Sequence, residues 1–147
     1  MAESGRIEHL EMDADPALFA GRLHGVVATF YENERPLQGL AGLLDWRFQG
    51  ALSAYLRQGA VSGKAGECVY VPVAKNGRLF HLILVGGGRA PDWGTRGTLT
   101  EESLAPLRKN LQSLKLDRMG VSRKDFGGGE DTWFNRAFKG VSFCLVN

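Results

Sequence analysis

Two runs of the 147-residue chain are apolar at nearly every position: residues 23–31 (LHGVVATFY) and residues 79–85 (LFHLILV). A strand with one wet face alternates polar and apolar side chains. A strand covered on both faces reads as a continuous apolar run. Both runs are short and rich in β-branched and aromatic residues, so each is predicted to be a strand lying inside a sheet with helices above and below it. That feature points to a three-layer α/β/α architecture, and with the remaining elements the central sheet is expected to be mixed and of about six strands.

The rest of the chain supplies the other elements. Residues 68–73 (CVYVPV) form a third strand, and Asn76-Gly77 stands between it and the 79–85 run. That dipeptide accepts the positive φ angles of a type I′ turn, so the two strands form a hairpin and the sheet is mixed rather than purely parallel. A helix is expected from Pro36 as its first residue, with Leu37, Leu40, Leu43 and Leu44 on one face. Gly50 breaks it before a second piece, ALSAYLRQG, which Gly59 ends as a left-handed cap. Leu104, Leu107, Leu111 and Leu114 recur at helical spacing. With Ser103 as N-cap, Pro106 falls in the first turn, where no intrahelical bond is lost. Residues 132–139 are predicted as a short helix capped by Asp131, with Phe134 over Phe138, followed by a strand at 141–146. The length suits one domain over residues 1–147, with 1–5 disordered.

Composition excludes more than it assigns. Eighteen Lys and Arg against sixteen Asp and Glu leave a net charge of +2. Residues 1–88 carry eight basic and nine acidic side chains and residues 89–147 carry ten and seven, a skew that speaks against nucleic acid as a partner. Cys68 and Cys144 sit in apolar runs with no CxxC spacing or neighbouring histidine, so they are expected to be buried thiols, with no metal and no cofactor implied. The N-terminal segment lacks the pattern of a secretory leader, and no apolar run approaches the ~20 residues of a membrane span. A cytoplasmic protein without membrane contact is the resulting expectation.

Few motifs carry chemistry. Gly86, Gly87, Gly88 and Arg89 follow the second apolar run, an amide-rich strand end beside an arginine, and are the candidate ligand-binding residues. They match neither the G-x-G-x-x-G dinucleotide fingerprint nor the Walker pattern, and no helix opens directly after them. Asp125-Phe126-Gly127 repeats a kinase metal-binding triplet without any of its companions and is read as chance. His9, His24 and His81 are expected in strands, as satisfied rather than catalytic histidines. Ser53, Ser62 and Ser103 lie in no nucleophile-elbow context. Asp45-Trp46-Arg47 reads as a helix-end anchor, and Trp93 and Trp133 as packing residues.

One stretch is more specific. GALSAYLRQGAVSGKAGECVYVPV, residues 50–73, followed by RLFHLILVGGG, resembles the N-terminal domain of the leucyl (cytosol) aminopeptidases. The shared pattern is G-x-L-S-x-x-L-x-x-G-x-x-x-G-K-x-G-E. It is carried here by Gly50, Leu52, Ser53, Leu56, Gly59, Gly63, Lys64, Gly66 and Glu67, and Leu84 to Gly88 stand at the family's glycine-ended strand. LTEESLAPLRKNL resembles the helix that follows. The resemblance implies a macro-domain-like fold. It also implies that peptidase activity is not carried over, because the metal-site motif of the family's catalytic domain, N-T-D-A-E-G-R, has no counterpart in this sequence. A non-catalytic role in binding or assembly follows, with a second copy or a catalytic aminopeptidase subunit as partner. The alternatives are a macro-like module that binds ADP-ribose or a related nucleotide, and a non-catalytic subunit or fragment of a split aminopeptidase.

Overall fold

The computed structural model describes residues 5–59, 61–92, 96–97 and 99–147. Six strands form one sheet: β1 (Ile7–His9), β2 (Gly25–Phe30), β3 (Cys68–Lys75), β4 (Arg78–Gly86), β5 (Met119–Ser122) and β6 (Phe143–Val146). Their spatial order is β1-β6-β5-β2-β4-β3. Every pairing is parallel except β3 with β4. That hairpin turns at Asn76 and Gly77, whose φ angles of 52° and 75° are the pair a type I′ turn requires.

Helices cover both faces. On one side lie α1 (Ala14–Phe19), α2 (Gly39–Arg47) and α3 (Ala51–Arg57); on the other lie α4 (Glu101–Leu114) and α5 (Asp131–Ala137). Strand alternation divides the core accordingly. Val26, Ala28 and Phe30 of β2 and Leu82 and Leu84 of β4 pack with Leu18, Leu44 and Leu52 under the first layer. Val27, Ile83 and Val85 pack with Leu104, Leu107, Leu111, Phe134 and Phe138 under the second. Phe134 and Phe138 stack with centroids 6.3 Å apart, and Trp133 meets Phe134 edge-on at 4.8 Å, so Trp133 is a packing residue. Both apolar runs form strands buried over most of their length, although Leu79 at the start of the second is 50% exposed.

Several local expectations need correction. Pro36 precedes α2 by three residues, in a cis peptide with Arg35, and the helix opens at Gly39 instead. Leu37 is buried outside the helix, and Leu43 points outward, 41% exposed. The N-cap of α4 is Thr100, which places Ser103 inside the first turn and Pro106 deeper in the helix, beyond the position where its missing N–H is free of consequence. Ser103 uses its hydroxyl to hold the sheet, donating to the Gly86 carbonyl at 2.7 Å. Asp131 is the first residue of α5 rather than its cap, which is Glu130. His24 lies just before β2, not within it. Trp93 and residues 1–4 lie outside the described residues, as does Ala60.

The loop between α3 and β3 explains the family-like motif. Glu67 folds back so that one carboxylate oxygen accepts from the amides of Ser62, Gly63 and Lys64 at 2.8, 2.7 and 2.9 Å. Burial pushes this carboxyl up, but the three amides outweigh it and hold it below its ordinary value. Gly63, with φ at 102°, passes so close to Tyr31 that a Cβ would lie 2.6 Å from the Tyr31 carbonyl carbon. The glycines and the glutamate of the motif are therefore a device for pressing this loop onto the end of β2. Replacing Glu67 by Ala should strand three amides and lower stability by roughly 2–3 kcal/mol, read as a shifted urea midpoint. Because this carboxyl is held low, its stabilisation is present above the ordinary glutamate pKa and fades as pH falls through the lowered value.

Candidate functional site

The predicted glycine-rich strand end is tightly packed. The amide of Gly86 donates to the Glu67 carbonyl at 2.8 Å, that of Gly87 to Phe30 at 2.9 Å and that of Gly88 to Gly63 at 2.8 Å. A Cβ on Gly86 would lie 2.1 Å from the Lys64 carbonyl oxygen, and one on Gly87 would lie 2.4 Å from the Tyr31 ring. The glycines let two backbones and a ring approach closely, and their three donors are engaged within the chain. Arg89 stands exposed beside them.

A larger opening lies on the other side of β2. In an open α/β sheet, adjacent parallel strands whose connections leave toward opposite faces frame a crevice at their carboxyl ends. Here those strands are β2 and β5, paired Gly25 to Met119 through Val27 to Val121. The chain leaves β2 for α2 on one face and leaves β5 for α5 on the other. A cavity of about 410 Å³ opens between them, within the range of small-ligand sites. Ala14 and Pro16 from α1, and Gly39, Leu40 and Leu43 from α2, form its apolar wall. Ser122, Lys124, Asp125, Arg96, Asp13 and Asp15 supply polar groups. At the rim, Lys124 Nζ meets Asp13 Oδ1 at 2.9 Å, an exposed pair that costs little to open.

The crevice is backed by buried charge. Arg96 is 7% exposed and its Nη1 donates to Glu34 Oε1 at 2.8 Å. Its Nε stands 3.5 Å from Asp125 Oδ1, and its guanidinium lies 4.8 Å from the centre of the Tyr31 ring. Gly39 makes room for it, since a Cβ there would lie 2.7 Å from Arg96 Nη2. Asp125 belongs to a 3-10 turn, Lys124–Phe126, that follows β5. Its Oδ2 accepts from the Thr29 amide at 2.7 Å, tying the end of β2 to the turn after β5. Burial dominates the Asp125 carboxyl and outweighs the Thr29 hydrogen bond and the Arg96 charge, so its pKa is pushed up to about 6. Burial likewise raises the Tyr31 hydroxyl.

The other sequence candidates are scattered. His9 pairs with Asp131 at 3.1 Å at one edge of the sheet, while His81 Nδ1 meets the Tyr70 hydroxyl at 2.6 Å near the other. His24 is exposed before β2. Ser53 bonds to Asp45, whose carboxylate also accepts from the Ser53 amide at 2.9 Å, so Asp45 anchors the start of α3 as its neighbourhood suggested. Cys144 is buried and Cys68 partly so, both as free thiols. Among the described residues no three His, Cys, Asp or Glu side chains gather closely enough to hold a metal. No described helix is long and apolar enough to cross a membrane.

The profile of the cytosol aminopeptidase family, N-terminal domain, matches residues 26–138. The chain belongs to this family. No curated protein matches it in sequence. In structure, the domain is similar to the macrodomain of Mycobacterium tuberculosis DarG, with a TM-score of 0.69 at 18% identity over 97% of each chain. It is similar to Thermosipho africanus DarTG in complex with ADP-ribose, with a TM-score of 0.62 at 10% identity, over 99% of this chain and 43% of that one. A tomato leucine aminopeptidase mutant gives a TM-score of 0.59 at 15% identity, over 100% of this chain and 33% of that one. The chain thus spans a third of the tomato enzyme. At these identities the likeness is one of fold, and the fold is macrodomain-like.

Among the buried groups at the crevice of this aminopeptidase N-terminal domain is Asp125, which its sequence context did not single out. Its titration gives a direct test. Native Asp125 keeps its proton up to about pH 6, whereas in the unfolded chain it loses it near 3.8. Between those values the native state binds more protons, so this group makes stability fall as pH rises through the window. The difference is on the order of 2–3 kcal/mol. Urea unfolding at pH 4.5 and 7.5 should show that decline over and above the slope of other groups, and Asp125→Asn should flatten it.

Proposed function

We propose that this domain is a non-catalytic binding module whose ligand sits in the crevice between the ends of β2 and β5. The observation that carries this reading is a cavity of about 410 Å³ at the sheet's switch point, apolar along α1 and α2 and backed by buried charge. An ADP-ribose-like nucleotide is the ligand class favoured here. The similarity in fold to a protein solved with ADP-ribose supports it, as does an apolar wall suited to a flat ring with Lys124 at the rim to meet an anionic group. Calorimetry should then detect ADP-ribose binding at or below millimolar concentration. Leu43→Glu, at a half-exposed position on the cavity wall, should weaken binding about tenfold or more, equivalent to about 1.4 kcal/mol, without moving the urea midpoint. No heat at millimolar ADP-ribose would remove the nucleotide reading.

A second reading is that the domain serves assembly, docking on a separate catalytic aminopeptidase subunit. Its support is the membership of the family of cytosol aminopeptidase N-terminal domains. The chain alone should then leave leucine p-nitroanilide intact in manganese. Purification from the native source should bring down a peptidase-sized partner, and its absence counts against this reading.

A further inference from the structure

We propose that the end of the domain opposite the crevice docks on an anionic lipid bilayer, through cations spread over a flat face with Trp46 and Leu79 as apolar contacts. This reading stands whether or not the crevice holds a ligand. Where helices return antiparallel to parallel strands, the strands begin and the helices finish at one end of the molecule. Arg22 follows α1 there, Lys115 closes α4 and Lys139 follows α5. Arg118 precedes β5, and Lys75 and Arg78 flank the hairpin turn. Arg118 Nε donates to the Arg22 carbonyl at 2.9 Å and Arg78 Nη2 to the Leu23 carbonyl at 2.8 Å, which fixes both side chains without cancelling their charge. Among the described residues none of the six cations pairs with a carboxylate. Acidic residues stand at the other end, where Asp13, Glu101 and Glu130 open α1, α4 and α5. A net charge of +2 thus conceals a strongly polarised molecule.

Helix dipoles explain part of this, since the negative end of a helix favours a cation near its last turn. That covers Lys115 and Lys139. It does not cover Arg118, Lys75 and Arg78, which belong to strands and their approaches, nor the apolar side chains exposed at the same end. Trp46 is 73% exposed near the end of α2, its ring 5.7 Å from the Arg47 guanidinium. Leu79, 50% exposed, follows Arg78 in the hairpin. The hairpin projects past its neighbour: β2 begins at Gly25 opposite His81, whereas β4 begins at Arg78, about 10 Å further out. The cations occupy the ends of both helical layers and of the sheet between them, which makes a plane. A nucleic acid follows a basic stripe or groove, and two hollows at this end hold only about 200 and 250 Å³. A bilayer is itself a plane, with anionic headgroups for the cations and an interfacial layer that takes up Trp and Leu side chains. Such contact needs no membrane span. It leaves the acidic end, and the crevice with it, facing solution.

The test is co-sedimentation of the intact chain with vesicles of phosphatidylcholine, with or without a third of phosphatidylglycerol. The anionic vesicles should bind it about tenfold or more tightly than the neutral ones, because each cation near such a surface contributes about fivefold. Raising the salt from about 0.1 M to about 1 M shortens the screening length from about 10 Å to about 3 Å and should release the chain. Arg22→Glu and Lys139→Glu, both at exposed positions, should each weaken binding about fivefold or more without moving the urea midpoint. Brominated phosphatidylglycerol should quench the Trp46 emission, and Trp46→Phe should remove the quenched component. Equal binding to neutral and anionic vesicles, unchanged binding by both charge-reversed variants, or an unquenched Trp46 overturns the proposal. So does tighter binding of a duplex or single-stranded oligonucleotide than of the anionic vesicles, which would make this end a nucleic-acid surface.

Discussion

The burial of β2 on both faces is the constraint from which the rest of the structure follows. Every residue of this strand is buried, with parallel neighbours on either side and a helical layer above and below. Such a strand tolerates little that is polar and leaves no room for error in spacing. Gly25 has no side chain because a Cβ would lie 1.9 Å from the His81 carbonyl oxygen. Thr29 is the one polar side chain in the strand, and its backbone amide lies beyond the last β2–β5 pair, Val27 with Val121. That amide does not go unsatisfied: Asp125 crosses from the turn after β5 to accept from it. A requirement of the fold, that a buried N–H find a partner, thus places a carboxylate at the crevice.

How far the sequence discloses this depends on whether the information is local. The two apolar runs, the Asn76-Gly77 turn and the leucine stripe of α4 are signals contained within a few residues, and each corresponds to its element. Their ends are less legible. Ser103 has the composition of an N-cap, yet its hydroxyl is taken by the Gly86 carbonyl seventeen residues away, and Thr100 caps the helix instead. Leu43 follows the spacing of an apolar helix face but turns outward because the buried face of α2 runs through Ala41 and Leu44. The crevice is the least legible part. Glu34, Arg96 and Asp125 are separated by 62 and 29 positions, and nothing in the neighbourhood of any one names the other two. Asp125 lay in view within a chance-looking triplet; only the pairing of β2 with β5 gives it meaning.

The family-like motif belongs to the opposite side of β2 from the crevice. Gly63, Lys64 and Glu67 build a loop that presses on the ends of β2 and β4. It draws in the Gly86 and Gly88 amides, which donate to Glu67 and Gly63. A phosphate cradle needs amides that point outward and are unspent; here the motif spends them on closing the sheet. In this chain the motif shapes the return from helix to strand. The glycine triplet and the crevice flank the same strand end but have opposite character. One is sealed by backbone that packs on backbone, and the other stays open because helices diverge from it. The charges follow that division: the carboxylate closest to the sealed loop, Glu67, is held low by three amides, while the one at the open crevice, Asp125, is pushed up by burial that its partners do not repay.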